Sequence, residues 1–316
     1  MTRSSRVAVI GAGNVGATAA YALMLRGLFS EIVLIDSNPG LATAQAADIA
    51  DANALGRPAR IWAGSYTDAG GAGIAVITAG AVTHGNESRL GVAARSAEIV
   101  ASCSEQLAAA GFTGIILVAA NPVDVMTQVA AAHSGLAAGR VIGTGTLLDS
   151  CRLRQALADR FDVATMAVEG LVLGEHGDTS VTAFSTIRIG GLPLDHWLPA
   201  SNGSDRTALA VQVRQEGYDI VSGKGFTSFG IATAIVRICE AIQRDENAVL
   251  PVSCRLTGEF GIDDLYLSLP CILGRGGIKR ILPPALDPAE IEALRHSADT
   301  LRAALARLPA DSATAR

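Results

Sequence analysis

The chain has 316 residues, 49% of them apolar and only 4% aromatic, and a formal net charge of −5. That length supports two fused lobes or one large α/β domain with a substantial core. The acidic balance leaves no broad basic surface, which argues against nucleic acid or an anionic membrane as the main partner, so an anionic ligand would have to be drawn in by local arginines such as Arg89 and Arg152.

In chain order, Arg6–Ile10 reads as a short buried strand that runs straight into Gly11-Ala12-Gly13-Asn14-Val15-Gly16, followed by an alanine-rich helix to about Gly27. A G-x-G-x-x-G pattern is informative in this strand–turn–helix setting. Gly11 allows the tight turn, Gly13 lets a pyrophosphate approach the backbone, and Gly16 lets helix and strand pack closely. The free N–H groups at the helix start then meet the phosphates. A second strand, Glu31–Ile35, ends in Asp36, twenty residues after Gly16. An acid there accepts hydrogen bonds from the adenosine ribose hydroxyls and repels a 2′-phosphate, so the expected cofactor is NAD rather than NADP. A tight turn without a ligand is the alternative for the glycines.

The alternation continues with a helix over about 40–55, a strand over 74–78 ending in Ala79-Gly80, and a polar loop over 81–90 that includes Thr83, His84 and Arg89. Such a loop, at the carboxyl end of a parallel strand, is placed to close over a ligand. A helix to about Ala110 and a strand over 114–120 lead to Asn121-Pro122-Val123-Asp124, where Asn121 either caps the next helix or reaches a nicotinamide ribose or substrate oxygen. Residues 140–145 form the last strand of the series. This strand–helix repetition implies an α/β fold, a doubly wound parallel sheet.

Leu148-Asp149-Ser150-Cys151-Arg152 opens the next helix, and Gly174-Glu175-His176-Gly177-Asp178 follows an apolar run over 168–173. Asp149 and Arg152, three apart, share one helix face. The pattern suggests that Asp149 orients His176 as a proton carrier while Arg152 grips a substrate carboxylate. An N-cap aspartate, a surface arginine and a structurally satisfied core histidine form the alternative. Beyond this point, 181–189 alternates as strands do, Asn202-Gly203-Ser204 reads as a polar loop, and helices are expected over 206–221, 227–244 and about 289–308. The stripe Ile231, Ile235, Ile238 and Ile242 is core. His133 and His296 read as helix surface. His196, beside Trp197, is packed or faces solvent. The chain divides near residue 144 into a dinucleotide half (1–144) and a substrate half (145–316).

The five cysteines show no C-x-x-C spacing and read as ordinary buried thiols of a reducing compartment. The apolar stretch at the N-terminus is too short for a secretory signal, and no run reaches the length of a membrane span. The expected location is the cytoplasm, and no metal-ligand cluster stands out.

Taken together, Gly11–Gly16 with Asp36, Ala79-Gly80-Ala81 through Arg89-Leu90, Asn121–Asp124, Leu148–Arg152 and Gly174–Asp178 resemble the L-lactate/malate dehydrogenase family along essentially the whole chain. Lys224–Gly230, Tyr266–Pro270 and Gly274–Gly277 resemble its lactate-type branch. The resemblance implies a Rossmann-type sheet with a C-terminal α+β substrate domain, and NAD-dependent oxidoreduction of a small 2-hydroxy acid, with lactate and pyruvate the leading pair. It makes His176 the acid/base, Asp149 its partner, Arg152 the carboxylate clamp and Arg89 the group that polarises the substrate carbonyl. Asn121 would contact the substrate oxygen or the ribose, Thr227 would line the pocket and Thr144 would pack beside the nicotinamide. Gly11, Gly13, Asn14, Val15, Gly16, Asp36, Ala79 and Gly80 make up the rest of the cofactor site.

Thr83 stands where the lactate branch usually has glutamine and the malate branch arginine. A second substrate carboxylate therefore lacks a partner there, and longer 2-oxo acids, of the hydroxyisocaproate kind, become the runner-up ahead of oxaloacetate. Arg154 and Glu169 stand where relatives activated by fructose 1,6-bisphosphate pair arginine with histidine; a glutamate facing a phosphate predicts no activation. The resemblance also favours a homotetramer. An idle NAD-binding protein is the alternative from outside the enzymes, and retention of Arg89, Asp149, Arg152 and His176 together speaks against it.

Overall fold

The computed structural model of the chain describes residues 5–56, 58–81, 89–198 and 203–309. In the first part strands and helices alternate: β1 (Arg6–Ile10), α1 (Asn14–Arg26), β2 (Glu31–Ile35), α2 (Pro39–Asn53), β3 (Arg60–Ala63), α3 (Tyr66–Gly70), β4 (Ile74–Ile77), α4 (Arg89–Ala109), β5 (Ile115–Val118), α5 (Val123–Ser134) and β6 (Val141–Gly143), with β3 and α3 additional to the elements expected from the sequence. Local chemistry sets the boundaries. Asn38 caps α2 by accepting from the Gly40 and Leu41 N–H groups, with Pro39 at the first helical position. Gly27 ends α1 and Gly135 ends α5, both in the left-handed conformation.

α6 (Leu147–Phe161) opens the second part, followed by four short strands, β7 (Val168–Glu169), β8 (Val172–Leu173), β9 (Val181–Thr182) and β10 (Arg188–Ile189), then β11 (Leu192–Pro193) and α7 (Leu194–Trp197). The stretch 181–189, expected to alternate as strands do, holds β9 and β10 with a 3-10 turn at Phe184–Thr186 between them. α8 (Gly203–Lys224) begins inside the expected 202–204 loop, and α9 (Phe229–Arg244) carries the isoleucine stripe. The chain then forms β12 (Ala248–Thr257), β13 (Asp263–Gly274) and β14 (Gly277–Ile281) before α10 (Pro288–Leu305), which starts at an Asp287–Glu290 capping box.

Among the described residues nine strands make one sheet, in the order β14-β13-β12-β6-β5-β4-β1-β2-β3. Its six strands from β6 to β3 are parallel, in the doubly wound order with the switch point between β1 and β4. The expected doubly wound parallel sheet is continued on one side by strands of the C-terminal part, where β12, β13 and β14 join antiparallel and β12 meets β6 at the Ser253–Gly143 pair. Both faces of this extension are covered, so β13 is buried over most of its length and its apolar run does not alternate. A single apolar core therefore crosses residue 144, from Val9 and Leu117 to Leu267 and Leu294. A second core, centred on Leu153, Leu157, Ile187 and Leu209, lies among α6, the small strands and α8.

Four cysteines are buried, but Cys151 is exposed on α6, contrary to expectation, because it points away from the face that carries Asp149. His133 also departs from the surface reading. Its side chain is turned inward and its Nδ1 lies 2.8 Å from Glu105 Oε1, since α5 packs along α4. His296 and His196 are exposed, the latter against the edge of Trp197. No helix among the described residues is long and apolar enough to cross a membrane.

Leu267 lies wholly buried in β13, opposite Cys254. Leu267→Ala is expected to destabilise the protein by about 2–5 kcal/mol, read as a lower urea midpoint. A loss below about 0.5 kcal/mol would mean that the antiparallel extension is not part of the main core.

Candidate active site

The parallel strands present their carboxyl ends along one edge, and the predicted ligand-binding residues stand there in order. Gly11–Gly13 follow β1, Asp36 follows β2, Ala79-Gly80 follow β4, Asn121 follows β5 and Thr144 follows β6. This is the crevice in which open α/β sheets bind ligands. A methyl group on Gly16 would fall 1.8 Å from the Gly11 carbonyl oxygen, whereas one on Gly13 would meet nothing within 4 Å. Gly16 is thus demanded by packing, and the space beside Gly13 is open to an incoming group. The N-terminus of α1, where Asn14 and Val15 stand, has no side-chain cap, so its first N–H groups are available to a phosphate. Asp36 Oδ2 accepts from the Ala12 N–H at 2.7 Å and Oδ1 from the Asn38 N–H at 2.8 Å, which fixes the carboxylate at the lip of the turn. The residues present fit a dinucleotide with a free 2′-hydroxyl.

Where this edge meets α6 lies a cavity of about 470 Å³. Asn121, Thr144, Asp149, Arg152, His176 and Thr227 all line it, so six of the predicted residues converge from five separate stretches of chain. Asn121 is not the cap of α5; Pro122 holds that position. Thr83 and His84 lie outside the described residues. Arg89 is described by its backbone alone, as the first residue of α4.

The central contact is between His176 Nδ1 and Asp149 Oδ2, at 2.6 Å. Asp149 is also held by Arg152, whose Nη1 donates to Oδ1 at 3.1 Å. Two neighbouring elements fix the distance. The Thr146 hydroxyl, just before α6, donates to the Val172 carbonyl, and the Val172 N–H donates to Ser150 Oγ, so β8 is tied to the start of α6. Gly174 pairs with Ser268 of β13 through both backbone hydrogen bonds at 3.0 Å, and the Ser268 hydroxyl accepts from the Thr146 N–H at 3.1 Å. One residue of the main sheet thereby fastens both arms of the pair.

Burial by itself would lower the His176 pKa, but the charge and hydrogen bond of Asp149, helped by the charge of Asp124, overcome it and hold the imidazole above its ordinary value. For Asp149 burial pushes upward, and His176 and then Arg152 outweigh it, so the carboxyl stays below the usual range. Asp124, with Ser297, is a residue that sequence reasoning passed over. It is 2% exposed in the first turn of α5, and it accepts the His176 backbone N–H at 2.8 Å. Burial pushes its pKa up to about 6. Keeping it ionised at neutral pH costs roughly 3 kcal/mol of folding free energy, more than a helix cap normally contributes. Its place in Asn121–Asp124 could have drawn notice, but nothing local to Ser297 could have.

Comparison with known proteins matches residues 5–143 to the lactate/malate dehydrogenase NAD binding domain and residues 146–310 to the lactate/malate dehydrogenase alpha/beta C-terminal domain. The chain is 41% identical to L-lactate dehydrogenase of Priestia megaterium over 95% of each chain. It superposes on the ligand-bound minor L-lactate dehydrogenase of Enterococcus mundtii with a TM-score of 0.94 and 36% identity, covering 97% of this chain and 99% of that one. Against malate dehydrogenase of Salinibacter ruber the TM-score is 0.87 at 31% identity, covering 96% and 97%.

The pair sets a pH window. With its pKa raised, His176 contributes stability that is full below about 6.5 and is lost as pH rises through its folded value; with its pKa lowered, Asp149 contributes stability above about 3.8 that is lost as pH falls through its folded value. Asp149→Asn should therefore destabilise most between about pH 4 and 6.5, in unfolding curves taken across the range. A stability loss that did not vary with pH would contradict the pairing.

Proposed function

This chain belongs to the lactate/malate dehydrogenase family, and we propose that it interconverts (S)-lactate and pyruvate with NAD. The observation that carries the reading is the His176–Asp149 contact of 2.6 Å in a cavity that also holds Arg152 and opens on the carboxyl edge of the sheet. The L-lactate dehydrogenases at about 40% identity over nearly the whole chain support it.

When bound, the nicotinamide supplies or accepts the hydride. The residues proposed to hold the dinucleotide are Gly11, Gly13, Asn14, Val15 and Gly16 at the pyrophosphate and Asp36 at the adenosine ribose. Ala79, Gly80, Asn121 and Thr144 continue the site toward the cavity. Arg152 takes the substrate carboxylate in its planar fork. His176 uses Nδ1 on Asp149, which leaves Nε2 to give a proton to the carbonyl oxygen during reduction and to take it back during oxidation. Reduction starts from the imidazolium, and the raised pKa of His176 keeps that form populated near neutrality. Arg89 polarises the carbonyl, a role that the family resemblance implies, and electrostatic help of this kind contributes typically about 3 kcal/mol. Thr227 borders the substrate's side chain, and Thr83 offers no cation for a second carboxylate.

The reading divides the chain at 144–145 into a cofactor half and a substrate half, with the reaction at their junction. It includes a homotetramer in the cytoplasm, in fermentative or glycolytic metabolism, and exposed apolar side chains such as Tyr21 and Leu25 on α1 are consistent with assembly. Fructose 1,6-bisphosphate should not activate, because Glu169, exposed on β7, would meet its phosphate.

Loss of NADH absorbance on adding pyruvate tests the proposal directly. Turnover should be clear with pyruvate, weaker with 2-oxoisocaproate and poor with oxaloacetate; preference for either of the latter would replace the substrate named here. His176→Asn should lower kcat by about a thousandfold or more while leaving the NADH Kd nearly unchanged.

A further inference from the structure

His176 is held by its backbone as well as by its ring. Its own N–H donates to Asp124 Oδ2 at 2.8 Å, and the preceding N–H, that of Glu175, donates to Ser297 Oγ at 2.8 Å. The two acceptors come from different elements, α5 and α10, and both are buried, at 2% and 0% exposure. The Ser297 hydroxyl also lies 3.2 Å from Thr179 Oγ1 at the far end of the turn, and Thr179 in turn donates to the Glu175 carboxylate. The second oxygen of Asp124, Oδ1, is enclosed, and only the Ser253 hydroxyl of β12 comes near enough to help hold the charge. A helix does not need a buried carboxyl in its first turn, and an apolar side chain there would avoid the cost of burying the charge.

We propose that Asp124 and Ser297 are positioning residues for the reaction, pinning two successive N–H groups so that the His176 ring stays on Asp149, with the Asp124 charge adding support to the imidazolium. This rests on the reading of His176 as the proton carrier. The charged groups that act on His176 are Asp149 and Arg152 from α6 and Asp124 from α5. Those that face Asp124 are His176 and Glu175, with the Ser253 hydroxyl approaching from β12. Asp149 and Asp124 favour the imidazolium, and Arg152 opposes it. Asp124 thus acts from behind the ring, through space and through the backbone, without entering the cavity. Ser297 acts only through the backbone, so its loss should disturb placement and leave charge unchanged.

The test uses the full-length protein. Asp124→Asn keeps an oxygen able to accept the His176 N–H and removes the charge. The imidazole pKa of His176, followed by NMR of labelled histidine and assigned by its disappearance in His176→Asn, should fall by about half a unit or more, and the pH profile of pyruvate reduction should move to lower pH by the same amount. A His176 pKa within about 0.2 unit of wild type would overturn the charge role. Ser297→Ala should lower kcat about tenfold with KM and the NADH Kd changed less than about twofold; an unchanged kcat would overturn its positioning role. If Asp124→Asn does not fold, the His176→Asn protein decides. Its residue-176 amide proton should move as Asp124 titrates, and an amide shift flat from about pH 4.5 to 8 would overturn the contact. The NMR readings need no turnover, so failure of wild-type protein to reduce pyruvate would sink the functional reading without deciding this one.

Discussion

A cationic imidazole in a half-buried pocket is costly without an anion against it, and the contact of His176 with Asp149 is the constraint that the second half of the molecule meets. The two residues are 27 apart in sequence and lie on different elements. Their separation is set by Ser268, which pairs with Gly174 through its backbone and accepts the Thr146 N–H with its hydroxyl. Ser268 belongs to β13, the middle strand of the antiparallel extension. That extension does more than bury apolar surface. It transfers the rigidity of the main sheet to both arms of the ion pair, so thermal motion of either arm is limited by the sheet rather than by a loop.

The parallel part of the sheet does the complementary work. Strands running the same way deliver all their following turns to one edge, so glycines, an acid and two polar side chains meet a long ligand in sequence. The first turn of α1 is left uncapped, and the place beside Gly13 is left without a side chain. Both features suit the phosphate that the proposed dinucleotide would bring. The cavity begins where the parallel order ends, at β6, beyond which the antiparallel strands start. The junction of the two sheet types is thus also where the proposed cofactor and substrate sites meet.

Sequence made the first part legible because its signals are local. The β1–turn–α1 unit and Asp36 after β2 depend on neighbours within a few residues, as does the helix carrying Asp149 and Arg152 at the start of the second part. The antiparallel strands were not legible, for two physical reasons. The apolar residues of β12 and β13 are largely buried and so do not alternate, and each of these two strands contains a proline, Pro251 and Pro270, which stand directly opposite one another. His133 read as surface because its partner, Glu105, is on another helix. Ser297 was invisible for the same reason at longer range, since the N–H it accepts is 122 residues away. Local rules find the residues that do chemistry, and only the fold finds those that hold them.

Asp149 is shared between two cations, and this sharing has a consequence for the proposed reaction. In the free site the Arg152 charge works against protonation of His176, although it also helps keep Asp149 ionised. A substrate carboxylate bound by Arg152 supplies a second anion and offsets that opposition. The imidazole then binds its proton more tightly with the keto acid present than without it. By linkage the keto acid binds more tightly when the imidazole is already protonated. The proton donor and the carboxylate clamp therefore reinforce one another through the single carboxylate between them. A guanidinium placed elsewhere in the cavity, out of reach of Asp149, would bind the same carboxylate without loading the acid that the reduction consumes.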